Sequence, residues 1–184
     1  MADPVITNPA SANIPPGVLF TPQRDDWYAL DPNISIATLT LTVANVITAL
    51  TAPGPGIGQT VYLQGWNGAT SAASGSPTHP TVALATTTLQ TNVLGVITGT
   101  TVAGNAVSVP GQLVEVRSYG IAGVVVDNTC TVGHALVQST GTAGVLHDAG
   151  AVYPTEPGYA LGTVLAAVTV SSGLGYTLAL LQRF

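Results

Sequence analysis

In "VVVDNTCTVGHALV" (residues 124–137) an aspartate, the chain's single cysteine and a histidine fall at Asp127, Cys130 and His134. These are the residue types of a cysteine nucleophile with its base and orienting acid, or of a metal site. Spacings of three and four residues would gather them on one face of a helix. The stretch is instead a β-branched run, a polar turn and a second apolar run, so strand–turn–strand is expected and the three side chains diverge. A cysteine nucleophile also needs an electropositive setting, and this chain holds three arginines and no lysine. His147 with Asp148, or His79, would add a histidine cluster only where several subunits meet around an axis. The residues therefore read as turn positions (Asp127, Asn128), a small buried apolar group (Cys130) and a strand start (His134), with each histidine a surface or turn residue. No catalytic residue, metal ligand or cofactor site is assigned, and the chain is read as non-enzymatic.

The elements that would position these groups belong to a chain with little charge. Only 6% of the 184 residues are charged, the net charge is -5, and residues 32–114 carry no Asp, Glu, Lys or Arg. Ordinary globular domains carry about 25%. Three cations neutralise few phosphates, which excludes nucleic acid as the expected partner. An uncharged surface favours association, so the expectation is an assembly rather than a free monomer. The apolar stretch 160–181 has the length of a membrane span but is broken by "SSGLG", and two strands joined by a turn account for it, so no membrane partner is expected. The amino terminus lacks the basic and apolar regions of a secretory signal. A single cysteine makes no internal disulfide.

The expected fold is all-β: a small β-barrel or sandwich in the carboxyl-terminal half, preceded by an extended proline-rich arm and extra strands. Residues 1–33 hold six prolines among large apolar groups and read as the arm. Within it Phe20, Arg24, Trp27 and Tyr28 are the candidate interface residues, because "RDDWY" sets charges beside two aromatics. Residues 34–80 contribute extra strands, "ISIATLTLTV" and "TVYLQGW", and a Gly/Ser/Pro-rich loop. Residues 81–184 form the barrel, with short apolar runs punctuated by glycines. Glu115 and Arg117 lie two apart on one strand and share a face.

The order of segments in the carboxyl-terminal half resembles the small β-barrel of tailed-phage capsid decoration (cement) proteins. The resemblance runs over residues 93–184. It rests on Val114, Val116 and Gly120, then Gly133, Leu136, Val137 and Ser139, then Ala160, Leu161 and Gly162. It implies a structural virion protein on the outer capsid surface, bound to the major capsid protein and to itself as a homotrimer, tying neighbouring capsomers together. A receptor-facing head or tail fibre component is the alternative, favoured by a carbohydrate groove at Tyr62 or Trp66. A third, fainter likeness is to trimeric dUTP pyrophosphatases, with Asp127 at the catalytic aspartate. The tyrosine and glycine expected after it are absent, and so are the cations that a triphosphate would need.

Overall fold

The computed structural model describes residues 24–30, 41–46, 50, 56–65, 81–85, 93–100, 113–151 and 160–182. Its regular elements are all strands: β1 (Arg24–Leu30), β2 (Leu41–Val46), β3 (Thr60–Gly65), β4 (Thr81–Leu84), β5 (Val93–Thr100), β6 (Leu113–Val126), β7 (Ala135–Gln138), β8 (Leu146–Asp148), β9 (Gly162–Val164) and β10 (Leu174–Leu181). The all-β expectation holds. The apolar stretch 160–181 is the expected pair of antiparallel strands, β9 and β10.

Pairing closes two rings of five strands that share β6. In the first, β1 bonds β4, β4 bonds β3, β3 bonds β5, and both β5 and β1 bond the first half of β6. In the second, the end of β6 bonds β8, then β7, β9 and β10 follow, and β10 returns to β6 over Gly120 to Val126. Strand β2 lies parallel to β10 outside this ring. A ring leaves no open edge, which matters in a chain with few charged side chains to protect one.

The sequence reads as two strands split at Gly120, but β6 runs unbroken for 14 residues. It is nevertheless bent. Nine residues of straight strand would set Val116 and Val125 about 30 Å apart. Yet Ile97 stands opposite Val116, and Gly58 donates its N–H to Ile97 O at 2.8 Å while accepting from Val125 N–H at 2.9 Å. Gly120, at φ 101, sits between the halves in a conformation that side chains other than glycine's rarely adopt.

Even-numbered residues of β6 line the core on both sides of the bend. Val114 and Val116 pack with Ile57, Val61, Val82 and Ile97 in the first ring. Ala122, Val124 and Val126 pack with Cys130, Leu136, Leu146, Val164, Val168, Ala179 and Leu181 in the second, which Val96 of β5 joins. The rings are stitched by backbone bonds, Thr60 N–H to Gly144 O (2.8 Å) and Gly144 N–H to Ala85 O (2.7 Å), beside the bond from Ala85 N–H to Thr60 O (2.9 Å) within the first ring. This bonding crosses the boundary drawn after residue 80, since β3 and β4 belong to the same ring as β5 and β6. Residues 24–30 of the expected arm likewise form β1 and close the first ring.

Tyr176 closes the outer side of the joint with Val125 and Val145. Its ring lies over Gly123, where a Cβ would collide with the phenol oxygen, and over Gly58. Gly123→Ala is expected to lower unfolding free energy by about 1–3 kcal/mol, the cost of overpacking a filled site. Denaturant titration measures it, with Gly141→Ala, where a Cβ would meet only Ser139 Oγ at 3.8 Å, as the comparison. Equal losses at the two positions would show that crowding at Gly123 does not set the scale.

Candidate functional site

The chemistry-bearing residues meet at one end of the second ring, and β8 decides how. Parallel pairing of Val126 with Leu146 carries Asp127 alongside His147 and Asn128 alongside Asp148. Adjacent residues of a strand point to opposite faces, and the β8 burial pattern is buried, exposed, buried. His147 and Asp148 therefore take different partners. His147 Nδ1 lies 2.6 Å from Asp127 Oδ1, and His134 Nδ1 lies 2.9 Å from Asp148 Oδ1.

His147 is a surface residue and His134 closes a turn, as expected, and both are in addition anchored by aspartates. A carboxylate only accepts, so each Nδ1 carries the donated proton. The Asp148 side chain, 4% exposed, also accepts Thr131 N–H at 2.8 Å and Gly150 N–H at 2.7 Å. Asn128 links the two pairs. Its Oδ1 accepts Asp148 N–H at 2.8 Å, and its Nδ2 donates to Asp148 O at 3.0 Å and faces His147 Nε2 at 3.3 Å. Buried Ser139 donates its hydroxyl to Asp127 Oδ2 and accepts the N–H groups of Gly141 and Thr142.

Asp127, Cys130 and His134 are not brought together as one reacting group. Cys130 is buried, and its nearest polar partner is Asn128 O, 3.4 Å from Sγ. Burial first, and then the Asp148 and Asp127 carboxylates, push its thiol up to about 12. That is the reverse of an activated nucleophile. Ser139 donates to the Asp127 carboxylate rather than to a histidine, and its oxygen accepts two backbone N–H groups, so the hydroxyl is held within the network. Among the described residues no group of three or more His, Cys, Asp or Glu side chains is placed to hold a metal ion. What the arrangement does is fix three loops, at 127–134, 139–144 and 148–150, onto one end of the ring. Of the residues that complete the network, Asn128 carries no signal in the sequence beyond being a polar turn residue, and Ser139 stands out only as a position of the decoration-protein pattern.

The charged residues gather elsewhere. Register sets Asp25 opposite Arg117, Trp27 opposite Glu115, Tyr28 opposite Val114 and Arg24 opposite Tyr119. Five of the eleven charged residues (eight acidic, three basic) thus lie on the β1–β6 ribbon. Glu115 and Arg117 do share a face of β6, opposite the buried Val114 and Val116. Arg117 donates from a guanidinium nitrogen to Ile121 O at 2.7 Å, and Thr98 Oγ1 lies 3.4 Å from Glu115 Oε2. Of the candidate interface residues, Arg24, Trp27 and Tyr28 belong to β1. Phe20, like His79 and Trp66, lies outside the described residues.

No family model and no curated protein matches this chain. Among solved structures, it is similar to the base of the head fibre protein gp8.5 of bacteriophage phi29, at 12% identity and a TM-score of 0.40, over 88% of this chain and 95% of that one. It is also similar to a chain of the capsid of Myoviridae phage XM1, at 13% identity and a TM-score of 0.41, over 82% and 95%. Neither reaches the similarity of a shared fold.

Two outcomes follow from the network. Asp148→Asn turns one acceptor oxygen into a donor facing a backbone N–H or the His134 ring, so roughly 1–3 kcal/mol of stability should be lost on denaturant unfolding; an unchanged midpoint would count against the clamp. For Cys130, the unfolded thiol ionises near 9.0 while the folded one holds its proton to about 12. Its contribution is complete below 9.0 and lost as pH rises toward 12, by at most roughly 1.4 kcal/mol per unit. Cys130→Ala should flatten the alkaline decline of the melting temperature, and an identical slope would show that burial does not hold the proton.

Proposed function

We propose that this is a non-enzymatic structural protein of a phage virion, which binds the outer surface of the capsid as a homotrimer and cross-links neighbouring capsomers. The observation that carries the reading is where the residues matched to decoration proteins lie. Val114, Val116 and Leu136 are core positions. Gly120 occupies the β6 bend, and Gly133 a turn with φ 85. At Gly162 the backbone passes so near Leu180 that a Cβ would stand 2.6 Å from its carbonyl oxygen. The pattern thus coincides with positions at which this barrel requires those residue types.

A surface with few charges supports the same reading, because neutral contacts cost little to desolvate and shell symmetry multiplies them. The β1–β6 ribbon, with Arg24 and Trp27, is the proposed contact to the major capsid protein. The arm ahead of it, with Phe20, is the segment laid over a neighbouring capsid subunit.

Because β1 closes the first ring, the arm is tested by removing residues 1–23 and keeping β1. Occupancy on shells of the same phage, read by co-sedimentation, is expected to fall at least tenfold at equal free protein, with the melting temperature unchanged. Full occupancy without the arm would remove it from the contact. Full occupancy for Trp27→Ala as well would turn attention to a fibre role.

A further inference from the structure

The two rings are one barrel built twice. In chain order the first takes β1, β3, β4, β5 and the first half of β6, and the second takes the second half of β6, β7, β8, β9 and β10. In each, the first strand runs parallel to the third, and every other neighbour is antiparallel. The register repeats too: Val61 stands opposite Leu84 as Leu136 does Asp148, and Ile97 opposite Val116 as Val164 does Ala179. Each second strand is entered through a turn whose third residue is a glycine, Gly58 at φ 83 and Gly133 at φ 85. Each turn is then fastened to the fourth strand by the same two bonds. Gly58 N–H donates to Ile97 O at 2.8 Å and Ile97 N–H to Gln59 O at 2.9 Å; Gly133 N–H donates to Val164 O at 2.9 Å and Val164 N–H to His134 O at 2.9 Å.

What differs is the cover over the two turns. Residues 56–60 are buried, and the second ring lies over Gly58: its carbonyl accepts Val125 N–H at 2.9 Å, and a Cβ on it would collide with the Tyr176 ring. At the matching turn Thr131, Val132 and Gly133 are exposed, Val132 by 57%, and Leu165, which follows Val164, is 39% exposed. Asp148 nonetheless holds that turn at both ends, through Thr131 N–H and the His134 ring.

We propose that the 131–134 turn docks onto the first ring of a second copy, in the way that the 56–59 turn docks onto the second ring within one copy. The molecule itself contains the template for this contact. The second ring meets Gly58 with Val125 and Tyr176, which stand opposite each other in the β6–β10 pair. In the first ring the matching pair is Ala29 and Leu113, at the start of β6 and the end of β1, so this is the place on the second copy that receives the turn. No charged residue stands at 131–133, at Ala29 or at Leu113, so no ion has to be desolvated between them. The Asp148 clamp fixes the turn in advance, which removes most of the ordering cost. Turn and receiving face belong to different rings, so the contact is heterologous and closes into a cyclic oligomer when the rotation allows. The proposal names the contact behind the self-association in the reading above and rests on that part of it, not on shell binding.

Sedimentation of the full chain tests it by complementation. Val132→Asn is expected to keep the wild-type melting temperature, since the side chain is exposed, and to raise the dissociation constant of the oligomer at least tenfold. Leu113→Asn is expected to weaken association as much from the other side of the contact. A mixture of the two variants still holds one intact turn and one intact face, so it is expected to form one-to-one pairs and nothing larger. Because Leu113 lies within a strand, hydrogen exchange of the unsubstituted chain gives an answer that needs no variant: association should slow exchange both at residues 131–134 and around Ala29 and Leu113. A monomeric wild type, an unchanged oligomer in Val132→Asn, a mixture without pairs, or exchange that slows at neither segment would each overturn the proposal. Shell co-sedimentation separates the two readings. An oligomer that Val132→Asn dissociates, but that never binds shells, upholds this contact and removes the shell-binding function.

Discussion

A strand has two edges, and a strand shared by two rings must find partners for both edges along its whole length. This constraint on β6 organises the molecule. Its first half is bracketed by β1 and β5, and its second half by β10 and, at the end, by β8. Because consecutive even positions line both cores, a one-residue slip anywhere along β6 would turn valines of both rings toward the outside at once. The bend at Gly120 lets one strand serve both rings, and it brings Gly58, just ahead of β3, within hydrogen-bonding reach of Val125 in the second half.

The joint that results is rigid and is made mainly of backbone. Gly58, Thr60, Ala85 and Gly144 exchange bonds across it, and Tyr176 covers it from outside. It also buries Gln59, whose amide oxygen and nitrogen have no hydrogen-bond partner among the described residues. Such a group costs about 1–3 kcal/mol unless water reaches it.

The network of Asp127, Asn128, His134, Ser139, His147 and Asp148 shows how residue types that suggest chemistry can serve architecture. Here Asp127 and Asp148 spend their oxygens on neighbouring side chains and backbone N–H groups, and the thiol of Cys130 is turned into the core. The product is three loops held at one end of a barrel. A chain with so few charges uses two of its eight carboxylates for this purpose.

By itself the sequence determined the all-β class, the burial of Cys130, the shared face of Glu115 and Arg117 and the paired strands at its carboxyl-terminal end. Each follows from local alternation and turn residues. Whether Gly120 ends a strand or bends one was not legible, because the deciding partner, Gly58, lies far away in the chain. The same holds for the assignment of Arg24 to Tyr28 to a ring rather than to a free arm, since "RDDWY" alternates no more clearly than a tail does. Tertiary structure alone matched His147 with Asp127 and His134 with Asp148. Those pairs depend on the parallel register of β8 against β6, and register is set by which apolar residues reach the core together, not by the polar residues it brings side by side.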